Sequence, residues 1–524
     1  MNQPDYFDRA RQLKLLNETM YWDLIVIGGG ATGLGVAVDA ASRGYKTLLL
    51  EQSDFAKATS SRSTKLVHGG VRYLAQGQIK LVYDALHERG ILLHNAAHLV
   101  KKQAFIIPCY SIWEKIKYLA GLKIYEKLSG RFSFGRAEFV PRKEINKYLP
   151  GLRMKGLRGG VRYYDGQFDD ARLALNLAQT ASGKGAVVLN YFKVVKLLKD
   201  KEKMSGVVAI DMETKKEHIL NTRAVVNATG VFVDDILKME NGAARPMIKP
   251  SQGVHLMLDK SFLRTNTALM IPKTSDGRVL FAVPWHDHLL VGTTDTPTDK
   301  HVLEPKALDQ EIGFILDTVK QYLANPPERK DVLSVFAGLR PLAAPENDEH
   351  PTKEISRDHK LFVNPSGLVT ITGGKWTTYR KMAEETVNKV IEVGGLEPQS
   401  CRTKDLPVHA SGESGSTCHL SVYGSDEEEI KTLIEEEPAL ASRLVKQLPY
   451  REAEVVWAVR NEMARTIEDV LARRLRMLFL DARAAIAAAP RVASLMAEEL
   501  GRDENWKGEQ LIDFIKLANG YLPV

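Results

Sequence analysis

The chain reads as an α/β protein built from a Rossmann-type dinucleotide-binding domain, an interleaved antiparallel β-sheet substrate domain and an all-α C-terminal domain. Three features carry that reading. Residues 23–51 (DLIVIGGGATGLGVAVDAASRGYKTLLLE) run from an apolar strand through spaced glycines and an amphipathic segment to a second apolar strand ending in an acid. Apolar strand pieces return far downstream, at 224–230 and 368–374, with period-two strands between them, so the nucleotide fold is discontinuous. Beyond residue 426 strand signals end, and Ala, Leu, Glu and Arg recur at helical spacing.

Taken in order, Gly28, Gly30 and Gly33 allow a tight turn, close approach of a pyrophosphate to backbone N–H groups, and close packing of the helix opened by Ala31 and Thr32. Glu51, followed by Gln52, ends the second strand where adenosine ribose hydroxyls are expected, and its charge argues against a 2′-phosphate and so against NADP. A helical pattern follows over 79–99. The basic, aromatic segment 111–132 (SIWEKIKYLAGLKIYEKLSGRF), interrupted by two glycines, sets Ile112, Trp113, Ile116, Leu119, Leu122 and Leu128 among Lys115, Lys117, Lys123 and Lys127. That is the composition of a helix lying in a membrane interface. A helix at 169–182 and a strand at 186–189 precede antiparallel hairpins over 253–294. The strand 368–372 then meets Gly373-Gly374 and a helix over 377–393, and the Gly-, Ser-, Thr- and Pro-rich stretch 398–425 reads as a linker. The expected domains are a discontinuous nucleotide domain (1–100, 160–245, 345–397), a substrate or cap domain with the membrane-facing segment (101–159, 246–344), the linker, and a helical domain over 426–524. In that last domain the acidic runs 427–429 and 435–437, and Arg473, Arg474 and Arg476, read as solvated helix surface.

The bulk numbers set limits. At 524 residues with 44% hydrophobic content, the chain supports two or three domains. No long uninterrupted apolar run suggests a membrane span, and the polar start MNQPDYFDRARQ lacks a secretory pattern, so the cytoplasmic side is expected. Cys109, Cys401 and Cys418 show no C-x-x-C spacing, which argues against structural zinc or disulfides, and His286 and His288 in PWHDH sit at ordinary hairpin spacing, so no metal is expected. A net charge of +7 suits an anionic partner without choosing among nucleic acid, lipid headgroups and small phosphates.

Interleaving of the nucleotide fold favours FAD, which must hold an adenylate end and a distant ring system. The turn at Gly373-Gly374 opens a helix whose N–H groups and dipole suit the flavin N1–C2=O region. A second cluster, residues 59–73 (TSSRSTKLVHGGVRY), gathers hydroxyls, Lys65, His68, a glycine pair and Arg72 just after the first βαβ unit and suits a flavin lining.

Longer strings then show a resemblance: GGGATGLG (28–35), ATSSRSTKLVHGGVRYL (58–74), VVNATG (225–230), GVHLML (253–258), VPWHDHLLVGTTDT (283–296), AGLRPL (337–342) and GGKWTTYRKMAE (373–384). Together, and in this order, they resemble the FAD-dependent glycerol-3-phosphate dehydrogenases of the D-amino-acid-oxidase-like flavoproteins over roughly residues 20–395, and the tail looks like that family's C-terminal domain. The resemblance implies FAD contacts from Gly28, Gly30, Ala31, Thr32, Gly33, Glu51, Gln52, Thr59, Ser60, Ser61, Thr64, Lys65, Leu66, His68, Gly69 and Gly70. It adds Val194, Ala228, Thr229, Gly230, Gly338, Arg340, Gly374, Lys375, Trp376, Thr377 and Thr378. Arg72, Tyr73, Arg340 and Lys375 would surround the substrate phosphate, which on leaving water needs more than one cation. His255, in mid-strand, would bond the glycerol hydroxyls or act as general base; the proton acceptor stays open among two or three histidines.

The expected reaction is oxidation of sn-glycerol 3-phosphate to dihydroxyacetone phosphate by hydride transfer from C2 to flavin N5, with His255, Arg340 and Lys375 catalytic and a quinone as acceptor in glycerol catabolism. The enzyme would attach peripherally to the inner face of the cell membrane, with no nucleic-acid partner, and the assembly is left between monomer and homodimer. Alternatives are an oxygen-using glycerol-3-phosphate oxidase, an oxidase of amino or 2-hydroxy acids, and a flavin-stabilised, membrane-associated interaction protein.

Overall fold

A computed structural model describes residues 6–74, 76–343, 358–412 and 418–523. The start of the expected nucleotide domain at 1–5, its boundary near 345 and the linker positions 413–417 lie outside the described residues.

The strand Trp22–Ile27, apolar apart from Asp23, sits mid-sheet, flanked by parallel neighbours Glu217–Asn227 and Thr47–Leu50. Val187–Leu189 and Val369–Gly373 extend the sheet outward, also parallel, and His359–Val363 closes one edge antiparallel. Pieces more than three hundred residues apart thus form one doubly covered sheet, which explains its near-continuous Val, Ile and Leu strands. The glycine-fingerprint helix Ala31–Ser42 covers one face, with Asp170–Gly183 and Tyr379–Gly394 packed against it. The hairpin strands Phe192–Asp200 and Lys203–Asp211 attach beside Glu217–Asn227.

A second, ten-stranded sheet is mainly antiparallel. Ile248–Asp259 pairs with Val332–Ala343 over nearly its whole length, and Val100–Cys109 pairs with Gly159–Phe168. Leu66–Val67 joins this sheet's edge, so the chain passes from one sheet to the other within the 58–74 string.

The segment read as broken by glycines is one continuous helix, Ile112–Ser129, because Ser111 and Glu114 form a capping box and Gly121 lies in open space. Its apolar residues divide: Leu122 is buried and Leu119 and Leu128 pack inward, whereas Ile112, Trp113, Ile116 and also Ile124 are exposed.

The tail corrects one expectation. Arg473, Arg474 and Arg476 are buried, not solvated, and Glu427 is buried too. Arg473 and Arg474 both bond Asp54, and Arg476 reaches Asp170 at 3.0 Å, so the π-helical turn Asp469–Arg474 docks on the nucleotide half. Burial alone would raise Asp54, but Arg474 and Arg473 outweigh it and hold the carboxyl at about 2.

Candidate functional site

A groove of about 490 Å³ opens over the carboxyl ends of the parallel strands, where ligands bind in open α/β sheets. It is lined by Gly28, Gly30, Ala31, Thr32, Glu51, Gln52, Thr59, Ser60, Val194, Ala228, Thr229, Gly230, Gly374, Lys375 and Trp376, all singled out from sequence. The local chain explains its shape. Gly28 holds φ +110°, and a Cβ there would meet Ala228 O at 2.7 Å. A Cβ at Gly33 would collide with Gly28 O, so the turn tolerates only glycine at both positions. Gly30 caps the helix without a side-chain bond, leaving first-turn N–H groups facing the groove, while Ser60 Oγ accepts from Ala31 N at 2.9 Å. Glu51 accepts from Gly29 N at 2.7 Å and Ser53 N at 2.9 Å, which fixes the carboxylate at the rim. An amide cradle at one end, a ribose-directed acid beside it and a length reaching to Lys375 fit a dinucleotide with a remote ring.

At the far end two distant strings meet. Trp376 Nε1 donates to Ser60 O at 2.8 Å, and His68 N donates to Thr377 Oγ1 at 3.2 Å. Gly373 and Gly374 hold φ near +76° and +75°, a double left-handed turn that presents their amides.

Beyond it lies a second cavity of about 160 Å³, lined by Thr64, Leu66, His68, Gly70, Arg72, Tyr73 and Arg340. Lys375 joins the two spaces, its Nζ 4.0 Å from the centroid of the Tyr73 ring. Arg340 is oriented by Asp295 at 3.1 Å, Thr293 Oγ1 at 3.1 Å and Thr294 O at 2.9 Å. Arg72 stands on the short helix Val71–Leu74 and makes no ion pair among the described residues. Asp165 also faces this cavity, but Arg89 pairs with it at 2.7 Å and Tyr125 donates to it at 2.6 Å. The balance is cationic, and the space suits a small phosphate ester.

Other candidates sit elsewhere. His255 is 2% exposed and lies behind the cavity wall, its Nε2 2.9 Å from Thr64 Oγ1 and its ring stacked on Phe336. Burial first, then the charges of Lys65 and Arg340, push its pKa well below the usual histidine value, so the ring is neutral at neutral pH. Lys65 does not line either space: it is buried, bonds Asp170 at 2.7 Å and Ser61 O at 2.7 Å, and its ammonium is drawn down to about 7 by burial against the pull of Asp170. Its left-handed backbone (φ 61°) aims it inward and turns Thr64 toward His255. Gly69 packs under Tyr125 and Leu86, Gly338 against Arg62, and Gly33, Ser61, Thr377 and Thr378 support the walls from behind. Sequence reasoning missed Lys57, Lys193 and Asp235 on the groove, and Tyr163, Met270 and Arg278 on the second cavity. No motif carried these; Asp295 and Thr293 did lie within the VPWHDHLLVGTTDT string.

Comparison with known proteins agrees with this geometry. A family profile described as FAD dependent oxidoreductase matches residues 23–380, and one described as the C-terminal domain of alpha-glycerophosphate oxidase matches 369–507. The mitochondrial glycerol-3-phosphate dehydrogenase of Rattus norvegicus is 39% identical over 96% of this chain and 74% of its own length. The probable mitochondrial glycerol-3-phosphate dehydrogenase of Dictyostelium discoideum is 40% identical over 95% and 84%. Among solved structures, glycerol-3-phosphate dehydrogenase from Bacillus halodurans complexed with FAD superposes with a TM-score of 0.80 at 29% identity, covering 99% of this chain and 98% of that one. L-alpha-glycerophosphate oxidase from Mycoplasma pneumoniae with FAD bound shares the fold, with a TM-score of 0.55 at 15% identity over 73% of this chain and 97% of its own.

Proposed function

The chain belongs to the FAD-dependent oxidoreductase family, and from that premise we infer that it is an FAD-dependent glycerol-3-phosphate dehydrogenase, oxidising glycerol 3-phosphate to dihydroxyacetone phosphate. What carries the substrate assignment is the cationic cavity of Arg72, Arg340 and Lys375 at the ring end of the nucleotide groove.

Bound FAD supplies the acceptor for a hydride from the substrate's C2. The residues do the rest. Arg340 is already held by Asp295, Thr293, Thr294 and Gln252 before any ligand arrives, so its fork meets a phosphate without further ordering. Arg72 and Lys375 add charge from the other side, and a dianion in a cavity this small needs that compensation. Thr64 lines the cavity and contacts His255, so the C2 hydroxyl proton passes to Thr64 Oγ1 as the Thr64 proton passes to His255 Nε2. Burial keeps His255 neutral, so its Nε2 can act as the acceptor, although Lys65 and Arg340 nearby weaken it as a base.

The electron acceptor we assign is a membrane quinone, reached from the inner face of the cell membrane. Support comes from the helix Ile112–Ser129, which exposes Ile112, Trp113, Ile116 and Ile124 among lysines. Among the described residues no helix is long and apolar enough to cross a membrane, so attachment would be peripheral. The match of residues 369–507 to the C-terminal domain of alpha-glycerophosphate oxidase keeps oxygen in view as the competing acceptor. Turnover of glycerol 3-phosphate with a soluble quinone and without stoichiometric hydrogen peroxide is expected; peroxide formed in step with substrate, with the quinone left oxidised, would overturn the quinone assignment.

A further inference from the structure

A third cavity of about 470 Å³ lies between the ten-stranded sheet and the C-terminal helical region, and neither the nucleotide groove nor the substrate cavity uses it. Its floor is the antiparallel pair Val100–Cys109 and Gly159–Phe168. On that pair Lys101 stands in register with Gln167, so the two side chains leave the same face as neighbours. The tail supplies the opposite wall through Cys418, His419, Arg443 and Tyr450.

Two features point to a ligand. Gln167 is 1% exposed and donates to Pro284 O at 2.7 Å, yet its Oε1 has no hydrogen-bond partner among the described residues. A buried acceptor left unmade is costly, so a donor is called for at that atom. The nearby His98 Nδ1 is buried without a partner as well, while its Nε2 bonds Asn176.

The second feature is charge. The acids facing the cavity are engaged, Asp169 by His286 at 3.1 Å and Arg476 at 3.6 Å, and Asp287 by Lys260 at 3.0 Å. Lys101 and Arg443 line the cavity from opposite walls, both solvent-exposed and neither within ion-pair distance of an acid among the described residues, although Asp287 acts on Lys101 from further off. Partial desolvation of the Lys101 stem and the nearby Lys260 ammonium draw its pKa below the ordinary value against the pull of Asp287, and a bound anion would add to that pull. Phe168 and Trp285 form apolar wall that strengthens such a pairing.

We propose that this cavity is a second ligand site, for a phosphorylated metabolite of up to nucleotide size whose phosphate meets Lys101 and Arg443 while an N–H or O–H group donates to Gln167 Oε1. The site is independent of the glycerol 3-phosphate reading, since none of these residues lines the groove or the substrate cavity.

Cys418 reports on it, because this thiol is exposed in the cavity wall whereas Cys109 is buried. The test follows alkylation of Cys418 in the FAD-loaded full-length enzyme, read cysteine by cysteine, as ADP, pyrophosphate or adenosine is added. ADP and pyrophosphate are expected to slow alkylation, with adenosine requiring about tenfold more for the same effect. The double variant Lys101→Met, Arg443→Met should raise the protecting ADP concentration about tenfold or more and leave KM for glycerol 3-phosphate unchanged. Absence of protection by millimolar ADP and pyrophosphate, protection by adenosine equal to ADP, or equal protection in the double variant would each overturn the proposal.

Discussion

In the proposed reading substrate recognition turns on Arg340, because it enters the cavity already bonded to Asp295, Thr293 and Thr294. Replacing it by methionine removes the fork and leaves Asp295 facing the phosphate, so kcat/KM for glycerol 3-phosphate should fall by about a hundredfold or more; Arg340→Lys should recover part of that loss. Steady-state assay with a dye acceptor checks both variants, and a change within twofold would remove Arg340 from substrate binding. On the proposed Thr64–His255 route, His255 would set the pH behaviour. Its folded pKa lies well below 6.5 through burial and through Lys65 and Arg340, so the ring stays neutral as pH falls through 6.5. The acid limb of kcat/KM should therefore fall well below 6.5, and a limb centred at an ordinary histidine value would contradict the Thr64–His255 route. From its apolar strand alone His255 reads as an ordinary core histidine; the GVHLML resemblance singled it out, and its place behind Thr64 left no sequence signal. Beside it, Lys65 takes a left-handed turn and buries its ammonium against Asp170 and Ser61 O.

Among the elements, the fingerprint strand and helix were the most legible, because glycine at Gly28 and Gly33 is forced by backbone approach and leaves a direct trace in sequence. The helix Ile112–Ser129 was harder to read. Its composition set six apolar residues among lysines as an interfacial helix, whereas Leu119, Leu122 and Leu128 pack inward and Ile112, Trp113 and Ile116 point out, joined by Ile124. Period alone does not separate a core stripe from an interfacial one when apolar residues encircle a helix. The outward set fixes the test of membrane docking: Trp113→Glu with Ile116→Glu should abolish co-sedimentation with anionic liposomes while dye-linked turnover stays near that of the parent. Undiminished co-sedimentation would assign docking to another surface.

For the whole molecule, the interleaving of two sheets was readable from strand pieces returning at 224–230 and 368–374, but the tail's attachment was not. Arginines at helical spacing look alike whether solvated or buried; here Asp54, far upstream in sequence, draws Arg473 and Arg474 into the interior. Lys65, Asp170 and Arg476 make a second such bridge, so the helical region is fastened to the segments that line the groove and the substrate cavity. Cavities built between segments likewise leave no motif, which is why Tyr163, Met270 and Arg278 escaped notice. All these parts converge on one event, two-electron reduction of the bound flavin by a phosphorylated alcohol. Anaerobic addition of sn-glycerol 3-phosphate to the purified yellow enzyme, followed at the visible absorbance of the oxidised flavin, tests that event without any electron acceptor. Bleaching that saturates with glycerol 3-phosphate is the expected result; an unchanged spectrum, with bleaching instead by an amino acid or a 2-hydroxy acid, would contradict it.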